Sequence, residues 1–154
     1  MTRERHEDFD LTASVILMPG ETVQTSTMTI LNEDPTGTVA IQPYNKDMPY
    51  DPIPGKYEGQ VLHVNFHALA SNKASVVITL KVPCNELSFW HYLHGSPSTK
   101  VTCISEDGSQ SQQMLGDSND LPLQVHFSGE RISRLQISGI SASEWFVIDH
   151  FEFS

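Results

Sequence analysis

Ser75-Val76-Val77-Ile78-Thr79-Leu80-Lys81-Val82, then Glu86-Leu87-Ser88-Phe89-Trp90-His91-Tyr92-Leu93-His94, decide the reading of the fold. In the first run Val76, Ile78, Leu80 and Val82 share one parity, and Thr79 and Lys81 take the other. In the second, Leu87, Phe89, His91 and Leu93 share one phase and Ser88, Trp90, Tyr92 and His94 the other. Successive side chains of a strand point to opposite faces, so this period of two predicts strands whose first set faces a core. Both faces of the second strand carry large side chains.

The same pattern extends in both directions. Upstream it predicts strands over Leu11–Leu17, Val23–Leu31, Thr38–Gln42 and Gln60–Ala70, with Pro19-Gly20 and Asn32–Gly37 as turns. Downstream it predicts Lys100–Ser105, Ser111–Leu115, Leu121–Phe127, Arg131–Ile140 and Trp145–Phe153. In Leu121–Phe127 the residues Leu121, Leu123, Val125 and Phe127 are expected to face inward. In the last strand Phe146 and Ile148 share one parity and Phe151 and Phe153 the other, so a bulge is expected at Asp149-His150. No window of a dozen residues carries an apolar stripe of helical spacing. About nine or ten short strands without helices predict an all-β, antiparallel β-sandwich.

The chain has 154 residues, enough for a single β-sandwich domain over 1–154, with room for a flexible N-terminal segment over residues 1–10. Its formal net charge is −10. That argues against nucleic acid and anionic membrane surfaces, both of which need clustered Lys and Arg. No apolar run has the length of a membrane span. Met1–Asp8 contains no apolar signal region, so the chain as given reads as cytoplasmic, or as extracellular if its N-terminus has been trimmed. Cys84 and Cys103 are too few for a disulfide scaffold and read as free, partly buried thiols.

The order of elements from Ala74-Ser75-Val76-Val77-Ile78-Thr79-Leu80 through Leu87-Ser88-Phe89-Trp90, Val101–Gly108 and Arg131–Ile137 to the ending Phe146-Val147-Ile148-Asp149-His150-Phe151-Glu152-Phe153 resembles jelly-roll β-sandwich domains of the galactose-binding-like type. That group includes non-catalytic carbohydrate-binding modules. The resemblance covers the C-terminal half. It implies that the first and last strands are neighbours and that a structural calcium ion lies between them. Glu7, Asp8, Asp10 and Asp149 would be its ligands, since calcium takes six to eight oxygens. The other reading of these acids is a solvated tail and a turn cap.

Three further constellations stand out. Trp90, Tyr92 and His94 fall on one face of their strand and could stack on and bond to a sugar, or Trp90 could be a core side chain. Pro43–Gly59 is a long proline-rich stretch in which Tyr44, Tyr50 and Tyr57 could rim a ligand, or which could be a stiff connection. The seven histidines show no metal-binding spacing. Nucleophile elbows, phosphate loops and dinucleotide fingerprints are missing. The expectation is non-catalytic binding of carbohydrate with structural calcium, with a protein surface as the alternative partner and a small metal-dependent hydrolase as the second alternative. Edge strands leave a homodimer open.

Overall fold

The computed structural model describes residues 5–33, 38–43, 59–65, 74–94, 99–115, 123–140 and 145–154. Of residues 5, 38, 65, 74, 92–94, 139, 140, 145 and 146 it describes the backbone alone. Among the described residues there are eleven strands: β1 Arg5–Glu7, β2 Val15–Leu17, β3 Thr22–Gln24, β4 Met28–Asn32, β5 Thr38–Pro43, β6 Gln60–Asn65, β7 Ala74–His94, β8 Lys100–Ser105, β9 Gln110–Met114, β10 Leu123–Ile140 and β11 Trp145–Phe153.

β7 and β10 each fuse two of the expected strands, and they pair with each other almost end to end, from Ile140↔Ala74 to Leu123↔His91. Their two halves have different neighbours. The Ala74 end of β7 pairs with β4, which pairs with β3. The Ile140 end of β10 pairs with β8, which pairs with β9. The His91 end of β7 instead pairs with β11, and from there the order runs β6, β5, β2. The result is two antiparallel sheets that share two long strands, an all-β sandwich of jelly-roll type.

The long strands turn a corner between the sheets. The β7–β10 register shifts between Ser128 and Ile132 and again between Ile132 and Arg134. Arg131 sits there at φ 52°. Its N–H donates to Asn85 Oδ1 at 3.1 Å, its carbonyl accepts from Glu106 N at 3.0 Å, and its guanidinium pairs with the Glu106 carboxylate. Strands that switch sheets commonly do so at such bulges. The corner also explains Val82, expected inward but 55% exposed: the β7 alternation ends at Leu80 and restarts at Leu87. Leu123, likewise expected inward, is 40% exposed at the outer end of β10, while Val125 and Phe127 are buried.

The expected strand Val23–Leu31 is broken at Thr25. Its backbone N–H donates to the Met28 carbonyl at 2.8 Å, and its hydroxyl accepts from the N–H groups of Met28 and Thr27. A threonine hydroxyl that satisfies nearby backbone donors offers an alternative to the ladder, so the run folds into the tight β3–β4 hairpin. The bulge expected at Asp149-His150 is present. Between Asp149 and Glu152 the register against β7 gains one residue, and His150 adopts φ 52°.

The core runs through both sheets. Phe89 and Phe151 pack with ring centroids 5.0 Å apart, and Phe9 meets Phe151 edge-on at 6.1 Å. Each such aromatic pair adds about 1 kcal/mol beyond its buried area. Cys84 and Cys103 are buried thiols not joined in a disulfide, and burial, with the neighbouring Cys84, pushes the Cys103 thiol up to about 12. Within the segment expected to be a flexible N-terminus, residues 5–7 enter the sheet as β1, which pairs with the end of β11 as His6↔Glu152 and Glu7↔Phe151; residues 1–4 lie outside the described residues. The segment is held further at Gln60, whose N–H donates to Asp10 Oδ1 at 2.8 Å and whose side-chain amide donates to the carbonyls of Phe9 and Thr12.

Two predictions follow from this packing. Gly59 has φ +59°, and a Cβ there would lie 2.4 Å from Asp10 Oδ1. Gly59→Ala is expected to cost about 1–2 kcal/mol, read by denaturant unfolding; an unchanged midpoint would contradict the Asp10–Gln60 tie. His91 is 2% exposed beside Phe89, and burial pulls its imidazole down to about 4 from an ordinary 6.5. The folded state holds it neutral while the unfolded chain protonates it. Its contribution is therefore complete above 6.5 and falls by about 3 kcal/mol as the pH drops to 4. Stability measured across that window is expected to decline, and His91→Leu to flatten the decline.

Candidate functional site

The face of the second sheet turned away from the core carries the side chains that could meet a ligand. Phe89 and His91 are buried in β7, so the Trp90 between them lies on the other face, where it is half-buried. The register sets Gln124 of β10 on one side of Trp90 and Asp149 of β11 on the other. Two residues along β7, toward the corner, a second row runs His126, Ser88, Glu152 and His6 across β10, β7, β11 and β1. His126, Glu152 and His6 are exposed and Ser88 is 8% exposed.

In the opposite direction the face closes. Val61 and Val147 alternate with core residues and are buried, yet they stand outside the main core cluster. His63, between them, is half-buried, accepts or donates a 2.6 Å hydrogen bond with Gln42, and is pulled below its ordinary pKa by burial. The accessible part of the face therefore lies around Trp90 and the His126–His6 row.

The bulge adds a chain of titratable groups at the margin of this area. His150 Nε2 lies 3.5 Å from Asp149 Oδ2, His150 Nδ1 lies 3.2 Å from His6 Nε2, and His6 Nε2 lies 3.7 Å from Asp8 Oδ2. Asp149 is fully buried.

Each of the acids expected to bind calcium has its own surroundings. Glu7 accepts from Phe9 N at 3.0 Å and from the Thr27 hydroxyl at 2.7 Å. Asp8 Oδ1 accepts from Asp10 N at 3.1 Å. Asp10 turns to Gln60 on β6. Asp149 lies at the bulge beside His150. Among the described residues no group of three or more His, Cys, Asp and Glu side chains is placed to hold a metal ion. The adjacency of the first and last strands is present, and what joins them is β-pairing.

Of the expected ligand residues, Trp90 is on the open face. Tyr92 and His94 occupy the β7 positions opposite Val147 and Trp145, and their side chains lie outside the description. Tyr44, Tyr50 and Tyr57 lie outside the described residues. Sequence reasoning did not single out Ser88, His126, Glu152 and His6 as a group. The parity of Ser88 with Trp90 was readable, but the alignment of four strands into one row depends on register, which no local pattern carries. Of the exposed large apolar side chains, Leu11, Ile16, Met18 and Met114 are on other segments, Val82 is at the corner of β7 and Leu123 at the outer end of β10.

No family model matches the chain, and no curated protein matches it. Solved structures do. A family 29 carbohydrate-binding module aligns with 99% of this chain and 89% of its own, at TM-score 0.57 and 9% identity. A point mutant of the module CBM29-2 aligns over 97% and 91%, at TM-score 0.55 and 10% identity. Another CBM29-2 mutant, solved in complex with mannohexaose, aligns over 92% and 90%, at TM-score 0.56 and 9% identity. The chain thus has the β-sandwich jelly-roll fold of these modules.

Proposed function

We propose that the protein binds carbohydrate without catalysis, on the open face of the second sheet around Trp90. The observation that carries the reading is the placement of Trp90. A wide indole lies partly exposed in the middle of a hydrogen-bonded sheet, with Gln124 beside it and the Ser88–His126–Glu152 row two residues away. The C–H faces of a sugar ring pack on an aromatic plane, while amide, hydroxyl, imidazole and carboxylate groups at its margin exchange hydrogen bonds with the ring hydroxyls. A strand holds these groups at fixed spacing, so little ordering cost is left for binding. The fold it shares with family 29 modules adds support.

The test is binding of polysaccharides and of mannohexaose, by affinity electrophoresis and calorimetry. Trp90→Ala is expected to weaken binding about tenfold or more, as loss of a central aromatic anchor does. Trp90→Phe should keep part of the affinity, and a thermal melt of both variants separates lost stacking from lost folding. Failure of the wild-type chain to bind any glycan, or full affinity in a folded Trp90→Ala variant, would overturn the reading.

A further inference from the structure

β9 is the last strand of the first sheet, and among the described residues β8 is its one strand partner. All five of its residues, Gln110-Ser111-Gln112-Gln113-Met114, are exposed, so none of its side chains is in the core. The strand is nonetheless fixed at both ends. Ser105 N donates to the Ser109 carbonyl at 2.9 Å, and Leu115 N donates to the Thr99 carbonyl at 2.8 Å. Between them the Gln113 side-chain amide donates to the His126 carbonyl at 2.7 Å, on the part of β10 that pairs with β7 alone.

Ser109 and Leu115 thus turn their backbone groups to β8. Along an antiparallel strand this direction alternates, so Ser111 and Gln113 face β8 as well, and Gln110, Gln112 and Met114 present their N–H and C=O groups to the open edge. The strands at the other sheet edges, β1, β2 and β3, have three residues each, and the Gln113 amide occupies a carbonyl on the free side of β10. Short length and covered carbonyls blunt an edge. β9 is longer, and it has no charged residue, no proline and no bulge in its register with β8. It is a rigid, ordered row of backbone donors and acceptors, and what completes such a row is another strand.

We infer that β9 pairs antiparallel with β9 of a second copy of this chain, about a two-fold axis at Gln112. In that register Gln112 meets its own counterpart and Gln110 meets Met114. Each of these pairs exchanges two N–H···O bonds, so every outward backbone group of both strands is satisfied. The two Gln112 amides lie side by side on one face and can bond each other as in a glutamine ladder. Charge argues for the same occupant. Two copies of net charge −10 repel, and Lys100 is the one charged residue of β8 and β9, so this edge lets them approach without bringing strand acids together. The axis is perpendicular to the sheet, so the pair turns both Trp90 faces to the same side. That consequence rests on the carbohydrate reading; the pairing itself does not.

The experiment is sedimentation velocity on the purified chain without sugar, so its failure leaves the carbohydrate reading standing. Five residues a side make a small interface, and a monomer–dimer equilibrium with a dissociation constant of about 100 μM is expected. Gln112→Pro removes an outward N–H from each copy and none that faces β8, and is expected to weaken the dimer about tenfold. Gln112→Lys and Gln112→Glu each set like charges opposite one another and should weaken it about fivefold. An equimolar mixture of the Lys and Glu variants should restore it, because position 112 meets position 112. Thermal midpoints should stay near that of the wild type, since residue 112 is exposed and its N–H faces solvent. A wild-type chain that is still monomeric at about 1 mM overturns the inference. So does a dimer that survives in the folded Lys and Glu variants, or one that mixing them does not restore. Growth beyond the dimer with concentration overturns the closed two-fold pairing.

Discussion

The antiparallel pairing of β7 with β10 is the constraint on which the other elements depend. It runs from Ala74 and Ile140 in one sheet to His91 and Leu123 in the other, so each sheet takes two of its strands from the same pair. Every other strand attaches to one half of that pair, directly or through a neighbour. The two sheets therefore cannot slide relative to each other without breaking a ladder. The place where the pair bends is held by a polar knot, Arg131 with Asn85 and Glu106, because the bulged backbone there has donors and acceptors that the ladder no longer satisfies. Arg131 takes a left-handed conformation that costs a non-glycine residue about 1 kcal/mol or more, and the surrounding bonds offset it.

Strand parity was legible along most of the chain because one face of nearly every strand is buried, and a buried face forces alternation. Lys100–Ser105 and Trp145–Phe153 have the bounds that the alternation gives. The bulge at Asp149-His150 was legible for the same reason, since a phase slip inside an unbroken apolar strand has few other causes. The corner was not. A loss of phase near Val82 looks the same in sequence whether the strand ends or bends, and the chain bends. Nor was the β3–β4 break, where a threonine hydroxyl wins backbone donors from what reads as a continuous β-branched strand.

The site divides along the same line. Trp90 could be placed by parity alone, but its surroundings come from three other strands, and cross-strand register is set by turns and bulges far from the residues it aligns. An aspartate in a last strand looks like a metal ligand in a list of residues. In the fold Asp149 and His150 are the bulge itself, and the acids at the other chain end are taken up by Thr27, Gln60 and the local backbone.

That bulge also decides the chemistry of the open face. Before it, Phe146 and Ile148 have core parity. One inserted residue later Phe151 and Phe153 have it, and both are buried. Without the insertion the even-numbered parity would continue, Glu152 would be carried toward the core, and two phenylalanines would be carried out toward solvent. The extra residue thus does two things at once. It keeps the end of β11 in the aromatic cluster with Phe9 and Phe89, and it leaves Glu152 on the outer face, in line with Ser88, His126 and His6. The apolar burial fixes the register, and the register places the carboxylate. A polar row on the outside of a sheet need not stabilise the fold to be held in position, because the packing of the opposite face holds it there.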